Sequence, residues 1–235
     1  HRAEELDHSK FPECADHSPE SLALADSITS AAPASPADGV PHADNGAQID
    51  VMVVYTPSVQ STLGGTSAVQ SLIATAISET NSGYSTSGVN TKLNLVHTAL
   101  VNYNESGGFS AALDAVTGTN DGQMDEVHGL RNTYAADLVV LLINDSSSCG
   151  VGWLPTTVST SNQGLGFSVT HWDCATGYYS FGHEIGHNMG ARHDRYVDGG
   201  STPYAHGHGY VNKTAKIRSI MAYNNDCSIS GYNCT

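Results

Sequence analysis

At 235 residues and 39% hydrophobic content, the chain has room for one sizeable core with appendages, or for two small lobes sharing a cleft. Its formal charge of −14, from 23 acidic against 9 basic residues, argues against a nucleic-acid binder, which needs a basic face to neutralise phosphates. No stretch approaches a membrane span, because the longest purely apolar run, 138–143, has only the length of a buried strand.

Residues 1–25 are mixed and charged, with a helix-like stretch over 19–25, and residues 26–47 turn rich in Ala, Ser, Pro and Asp. That composition cannot build a core and predicts an exposed linker. At Ile49 an alternating apolar strand begins and runs to Thr56, where Pro57 ends it. Val69, Leu72, Ile73, Ala76 and Ile77 recur at helical spacing and predict a helix over 67–84. A strand over 92–103 follows, then short helices over 109–116 and 123–134. The near-continuous apolar run 137–143 is what a strand covered on both faces requires. Segments 149–155 and 166–172 read as two further strands, the second leading into a helix that carries paired histidines. Beyond Asp194, clustered Gly, Asn and Tyr predict loops. The fold class is therefore α/β: a mostly parallel twisted sheet with helices, followed by a small irregular C-terminal lobe. The expected organisation is a leading segment and linker over 1–47, a main lobe with the histidine helix over 48–190, and a C-terminal subdomain over 191–235.

The five cysteines, Cys14, Cys149, Cys174, Cys227 and Cys234, contain no C-x-x-C spacing, which argues against a thiolate zinc finger or a thioredoxin motif. Cys149 with Cys174 and Cys227 with Cys234 form two plausible local pairs, as suits an exported protein, and Cys14 is left over. The chain begins at His1 without a basic region followed by an apolar one, so any signal peptide is expected to have been removed and the protein to be secreted.

The chemistry concentrates in His183-Glu184-Ile185-Gly186-His187-Asn188-Met189-Gly190-Ala191-Arg192-His193-Asp194. Histidines four apart on a helix lie one above the other on the same face, where two neutral imidazoles can bind one zinc ion. Glu184 sits beside the first of them, placed to take a proton from an attacking water as general base. A third histidine six positions after the second would point away if the helix continued. Gly190 permits a positive-φ stop that turns His193 back to the metal. Three neutral protein ligands make the open set of catalytic zinc, whereas structural sites are closed.

This run fits H-E-x-x-H-x-x-G-x-x-H and resembles the metzincin zinc peptidases, and the aspartate directly after the third histidine resembles their reprolysin branch. Ser219-Ile220-Met221-Ala222-Tyr223 looks like the Met-turn that floors such sites, implying that Met221 packs beneath the histidines without ligating. The resemblance covers approximately residues 49–235 with very specific motifs, and within that superfamily the chain looks most like the bacterial peptidyl-Asp metalloendopeptidases, which implies cleavage on the amino side of aspartate. Tyr223, two residues after Met221, stands where astacins and serralysins place a tyrosine near zinc. It is read either as a fifth ligand or oxyanion donor, or as a core tyrosine behind the turn. The cysteines are too few for a full reprolysin.

Several further expectations follow from this reading. Cys14 is a candidate fourth zinc ligand: if 1–47 folds back over the cleft, the thiolate excludes water and holds the enzyme latent until cleavage before Asp38, Asp44 or Asp50. Five of the nine basic residues, Arg192, Arg195, Lys213, Lys216 and Arg218, fall near the cleft. A desolvated substrate carboxylate needs a paired cation, so Arg218, then Lys216 and Arg195, are the candidate specificity residues, with solvated or surface-paired side chains as the competing reading. His206 and His208 are redundant beside a complete triad; His97, His128 and His171 read as structural. Asp194 is either a brace for the active helix or a simple capping carboxylate. The partners expected are protein or peptide substrates and the chain's own leading segment as inhibitor, with no nucleic acid, no membrane and a monomeric state. A metzincin of broad or apolar specificity, or a silent binding module, is the alternative; retention of Glu184 argues against silence.

Overall fold

The computed structural model describes residues 48–234, so Cys14, the linker and the 19–25 stretch lie outside the described residues. Five strands form one sheet in the order β2-β1-β3-β5-β4. These are β1 (Gln48–Tyr55), β2 (Lys92–Leu100), β3 (Leu138–Ile143), β4 (Gly150–Gly152) and β5 (Phe167–His171). All neighbours run parallel except β4, which pairs antiparallel with β5 at the edge. This is the α/β architecture with a mostly parallel sheet expected from the apolar patterning.

The alternation of side chains along β1 and β3 divides the core in two. Met52, Val54, Val139, Leu141 and Ile143 face α3 (Gly108–Thr117) and α4 (Glu126–Thr133) through Phe109, Leu113, Val116 and Val127. Val51, Val53, Val140 and Leu142 face the other way, onto Val59 of α1 (Pro57–Leu63), Val69 and Ile73 of α2 (Thr66–Thr86), and Phe181 and Ile185 of α5 (Ser180–Asn188). Helices on both faces leave β3 fully buried, which explains why 138–143 is apolar without alternation.

Some boundaries differ from the sequence reading. Pro57 does more than end β1: it opens α1 as a first-turn proline behind the Thr56 cap, whose hydroxyl accepts from the Val59 amide at 3.3 Å. The strand expected over 149–155 is only three residues long, and the helix expected from 123 starts at Glu126, after a turn in which Asp125 accepts from the Asp121 and Gly122 amides. The C-terminal region, read as loops, also contains a two-stranded ribbon, β6 (Val211–Asn212) with β7 (Ile217–Arg218), and a short α6 (Asn225–Ser228). Both local cysteine pairs are disulfides, Cys149–Cys174 and Cys227–Cys234.

Asp50 is removed from the candidate activation sites. It lies within β1, its amide donates to Asp137 at 2.8 Å, and its carboxylate accepts from Gln48 and Asn94. Presenting the bond before it in extended form would mean tearing β1 from both neighbouring strands. Asp38 and Asp44 lie outside the described residues.

Candidate active site

Helix α5 packs on the sheet with Phe181 and Ile185 and turns His183, Glu184 and His187 inward, so that all three are buried. The helix ends as the spacing requires. Gly190 takes φ +90, its amide donates to the His187 carbonyl at 2.8 Å, and the Ala191 amide reaches back to Gly186 at 2.9 Å, a glycine-terminated stop. A β-carbon there would also strike Pro203. The chain then reverses, and Arg192 pairs through its backbone with Gly207 and Gly209 at 2.6 and 2.9 Å, which aims His193 back at the helix.

The three Nε2 atoms converge. His183 and His187 are 3.0 Å apart, His187 and His193 3.0 Å, and His183 and His193 3.2 Å. His183 Nδ1 faces the Ile220 carbonyl and His187 Nδ1 the Ala191 carbonyl, both at 2.8 Å. A carbonyl only accepts, so both Nδ1 atoms carry the proton and the neutral rings present bare Nε2 lone pairs to each other. Lone pairs that close repel unless a cation lies between them. Tetrahedral zinc with Zn–N of about 2.0–2.1 Å requires N···N separations of about 3.3 Å, so the donor set fits zinc in type, tautomer and spacing. Among the described residues these three form the one such cluster of potential metal ligands.

The Met-turn lies against this helix. Met221 Sδ occupies the space that a β-carbon on Gly186 would need, at 2.5 Å, between the two helical histidines in sequence. The Tyr223 ring packs beside His193, with centroids 4.2 Å apart, and is 8% exposed. Asp194 is buried and uses both oxygens: one accepts from the Tyr196 amide at 3.0 Å, the other from the Tyr223 amide at 2.9 Å. It thus ties the segment after the third histidine to the Met-turn.

The basic residues separate. Arg218 is half-buried and donates to the Cys234 carbonyl at 3.1 Å and to the Ala222 carbonyl, which places its guanidinium against the Met-turn backbone. Lys216 is exposed, with its ammonium 5.1 Å from the Tyr232 ring centroid. Arg195 is exposed and donates to the Gly200 and Ala205 carbonyls. Lys213 pairs with Asp226 at 2.5 Å. Arg192 forks onto Asp198 at 2.9 and 3.0 Å. Burial pushes the Asp198 carboxyl up, but the hydrogen bonds from Arg192 and the Gly200 amide, with the Arg192 charge, outweigh it and hold the group below its usual range.

His208 spans the His193 and Gly200 carbonyls at 2.7 and 2.8 Å, and His206 packs near Tyr204. His97 stacks on Tyr134, His128 meets the Gly118 carbonyl, and burial lowers the pKa of His171. One anchor escaped the sequence reading. The Asn188 side-chain amide lies within 2.9–3.3 Å of the Trp153, Leu165 and Phe167 carbonyls and fixes the end of α5 to the sheet edge. An asparagine two residues before a glycine carries no signal that separates this from an ordinary helix end.

Residues 45–232 match the family model Reprolysin_5, metallo-peptidase family M12. The chain is 46% identical over 192 residues to a peptidyl-Asp metalloendopeptidase of Stenotrophomonas maltophilia, covering 79% of this chain and 44% of that one. A protein of the same name from Xanthomonas campestris pv. campestris is 44% identical over 178 residues, covering 75% and 41%. The chain therefore spans less than half the length of these curated relatives. A solved structure titled "Structure of a chaperone-substrate complex" superposes with a TM-score of 0.56 at 22% identity, over 76% of this chain and 28% of that one, a likeness of fold alone. With the family model spanning the whole lobe that carries the histidine cluster, the chain belongs to metallo-peptidase family M12.

Proposed function

We propose that this chain is a secreted, monomeric zinc endopeptidase that cuts protein or peptide substrates on the amino side of aspartate. The observation that carries the proposal is the convergence of three histidine Nε2 atoms with Glu184 adjacent to the first ligand on the same helix. His183, His187 and His193 would hold the zinc, which when bound supplies Lewis acidity that polarises a carbonyl and lowers the pKa of water. Glu184 takes the proton from the attacking water and passes it to the leaving amine. Tyr223, whose ring packs beside His193, would donate its hydroxyl to the developing oxyanion or approach the metal as a further ligand. Met221 and Asp194 keep the floor and the third ligand in register.

The aspartate preference rests on the printed names of the relatives and on Arg218. Two backbone carbonyls orient its guanidinium at the Met-turn, where a carboxylate entering a desolvated pocket would need a fixed cation. Lys216 and Arg195 are more exposed and rank behind it. In a peptide series varied only after the scissile bond, wild type should prefer Asp, and Arg218→Ala should lose about 2–4 kcal/mol of that selectivity. A wild-type preference for leucine, or a preference unchanged in Arg218→Ala, would remove the assignment.

Latency completes the proposal. The two disulfides account for the other four cysteines of the sequence, and in this reading Cys14 takes the remaining zinc position as a thiolate, with cleavage in the linker releasing it. Full-length Cys14→Ala is expected to be active before any cleavage. If it is as silent as the intact wild type, direct thiolate inhibition is wrong.

A further inference from the structure

Two glycines on β4 have no backbone reason to be glycine. Gly150 and Gly152 sit in an edge strand paired with Thr170 and Ser168, and neither takes a positive φ. In such a strand glycine is less stable than alanine, because it loses more backbone freedom on folding and packs no side chain. What excludes a side chain is Glu184. A β-carbon on Gly150 would lie 2.7 Å from both Cγ and Cδ of Glu184 and closer still to Oε1. One on Gly152 would lie 2.8 Å from the Glu184 carbonyl oxygen and 3.4 Å from Oε2. The two glycines are two residues apart and so on one face of the strand, and the whole length of the glutamate side chain rests on that face with no exposed surface.

We infer that Gly150 and Gly152 are positioning residues for Glu184: their bare backbone is the shelf that fixes where the carboxylate lies. The inference rests on the general-base reading above and deepens it. A flexible glutamate loses its rotamer freedom against this shelf before substrate arrives, so proton transfer starts from a set geometry. The Cys149–Cys174 disulfide starts one residue before Gly150, and Asn188 holds the Trp153 carbonyl just past Gly152. The shelf is therefore anchored at both ends, and at its far end to the helix that bears Glu184.

The test is a double-mutant cycle in the full chain carrying Cys14→Ala, so that latency does not intervene. Gly150→Ala should lower kcat about 100-fold, with KM changed less than about 3-fold and zinc content unchanged, because the base is displaced while the ligands are not. In a Glu184→Ala background the Cγ, Cδ and oxygens that the added methyl meets are gone, so the same substitution should change the residual kcat by less than about 3-fold. Equal factors in both backgrounds, or a fully active Gly150→Ala, overturn the inference. A second arm needs no activity. Gly150→Ala should lower the melting temperature or prevent folding when Glu184 is present, and should not lower the melting temperature of Glu184→Ala. If the double variant is as damaged as the single one, the shelf is not built for Glu184. That arm stands even if the chain proves not to be a peptidase.

Discussion

Glu184→Gln is expected to bind zinc as the wild type does and to lose peptidase activity by a factor of about 10² or more. The reasoning is steric as well as electronic. Glutamine matches the shape of glutamate, so it still fits against Gly150 and Gly152 and leaves the three histidine rings in place. What it lacks is the basic oxygen that accepts a proton from water. Side-by-side zinc analysis and peptide turnover separate the two roles: normal zinc with near-normal turnover would show that Glu184 is not the base.

Replacing any one of His183, His187 and His193 with alanine has the opposite signature, and its effect on metal is the larger. Each should weaken zinc binding by at least about 100-fold, because loss of even a hydrogen-bond partner behind a metal ligand costs about 10–100-fold. His183→Ala also strips the Ile220 carbonyl of its donor, and His187→Ala strips that of Ala191, so both loosen the Met-turn or the helix end as well. Metal bound only by the folded chain stabilises it by about 4 kcal/mol at a thousandfold excess over Kd. Wild type should accordingly melt roughly 8–16 °C higher with zinc than after chelation, while in the same zinc an alanine variant weakened about 100-fold should keep no more than roughly a third of that rise. Zinc titration followed by thermal melts checks both, and a variant that retains the full shift would take that histidine out of the ligand set.

The parts of this molecule legible in the sequence are those where one local pattern permits one structure. β3 is apolar at every position because both its faces are covered, and 138–143 could hardly be anything else. The triad was readable because helix geometry aligns His183 with His187, and because Gly190 marks the reversal that brings in His193. Local pattern gave no such guide at Pro57, where the same residue ends a strand and starts a helix, and only the Thr56 cap distinguishes the two. β4 is shorter than the strand expected over 149–155 because its length is set by pairing with β5 and not by its own side chains. The glycines at 150 and 152 read as plain loop or strand residues until Glu184 is seen lying across them. The same holds for the basic residues. Charge count drew attention to the cluster before the Met-turn, but only tertiary contacts show Arg192 committed to Asp198, Lys213 to Asp226, and Arg218 set against the Met-turn backbone.

The most direct test of the account is the dependence of peptide hydrolysis on bound zinc. Chain stripped of metal by a chelator and carrying Cys14→Ala should be inert toward a peptide with an internal aspartate. Its activity should return in proportion to added zinc and level off at one ion per chain, with Glu184→Gln taking up the same single ion and staying inert. Hydrolysis that survives chelation, or a chain that binds one zinc at the triad and cuts no peptide, would contradict it.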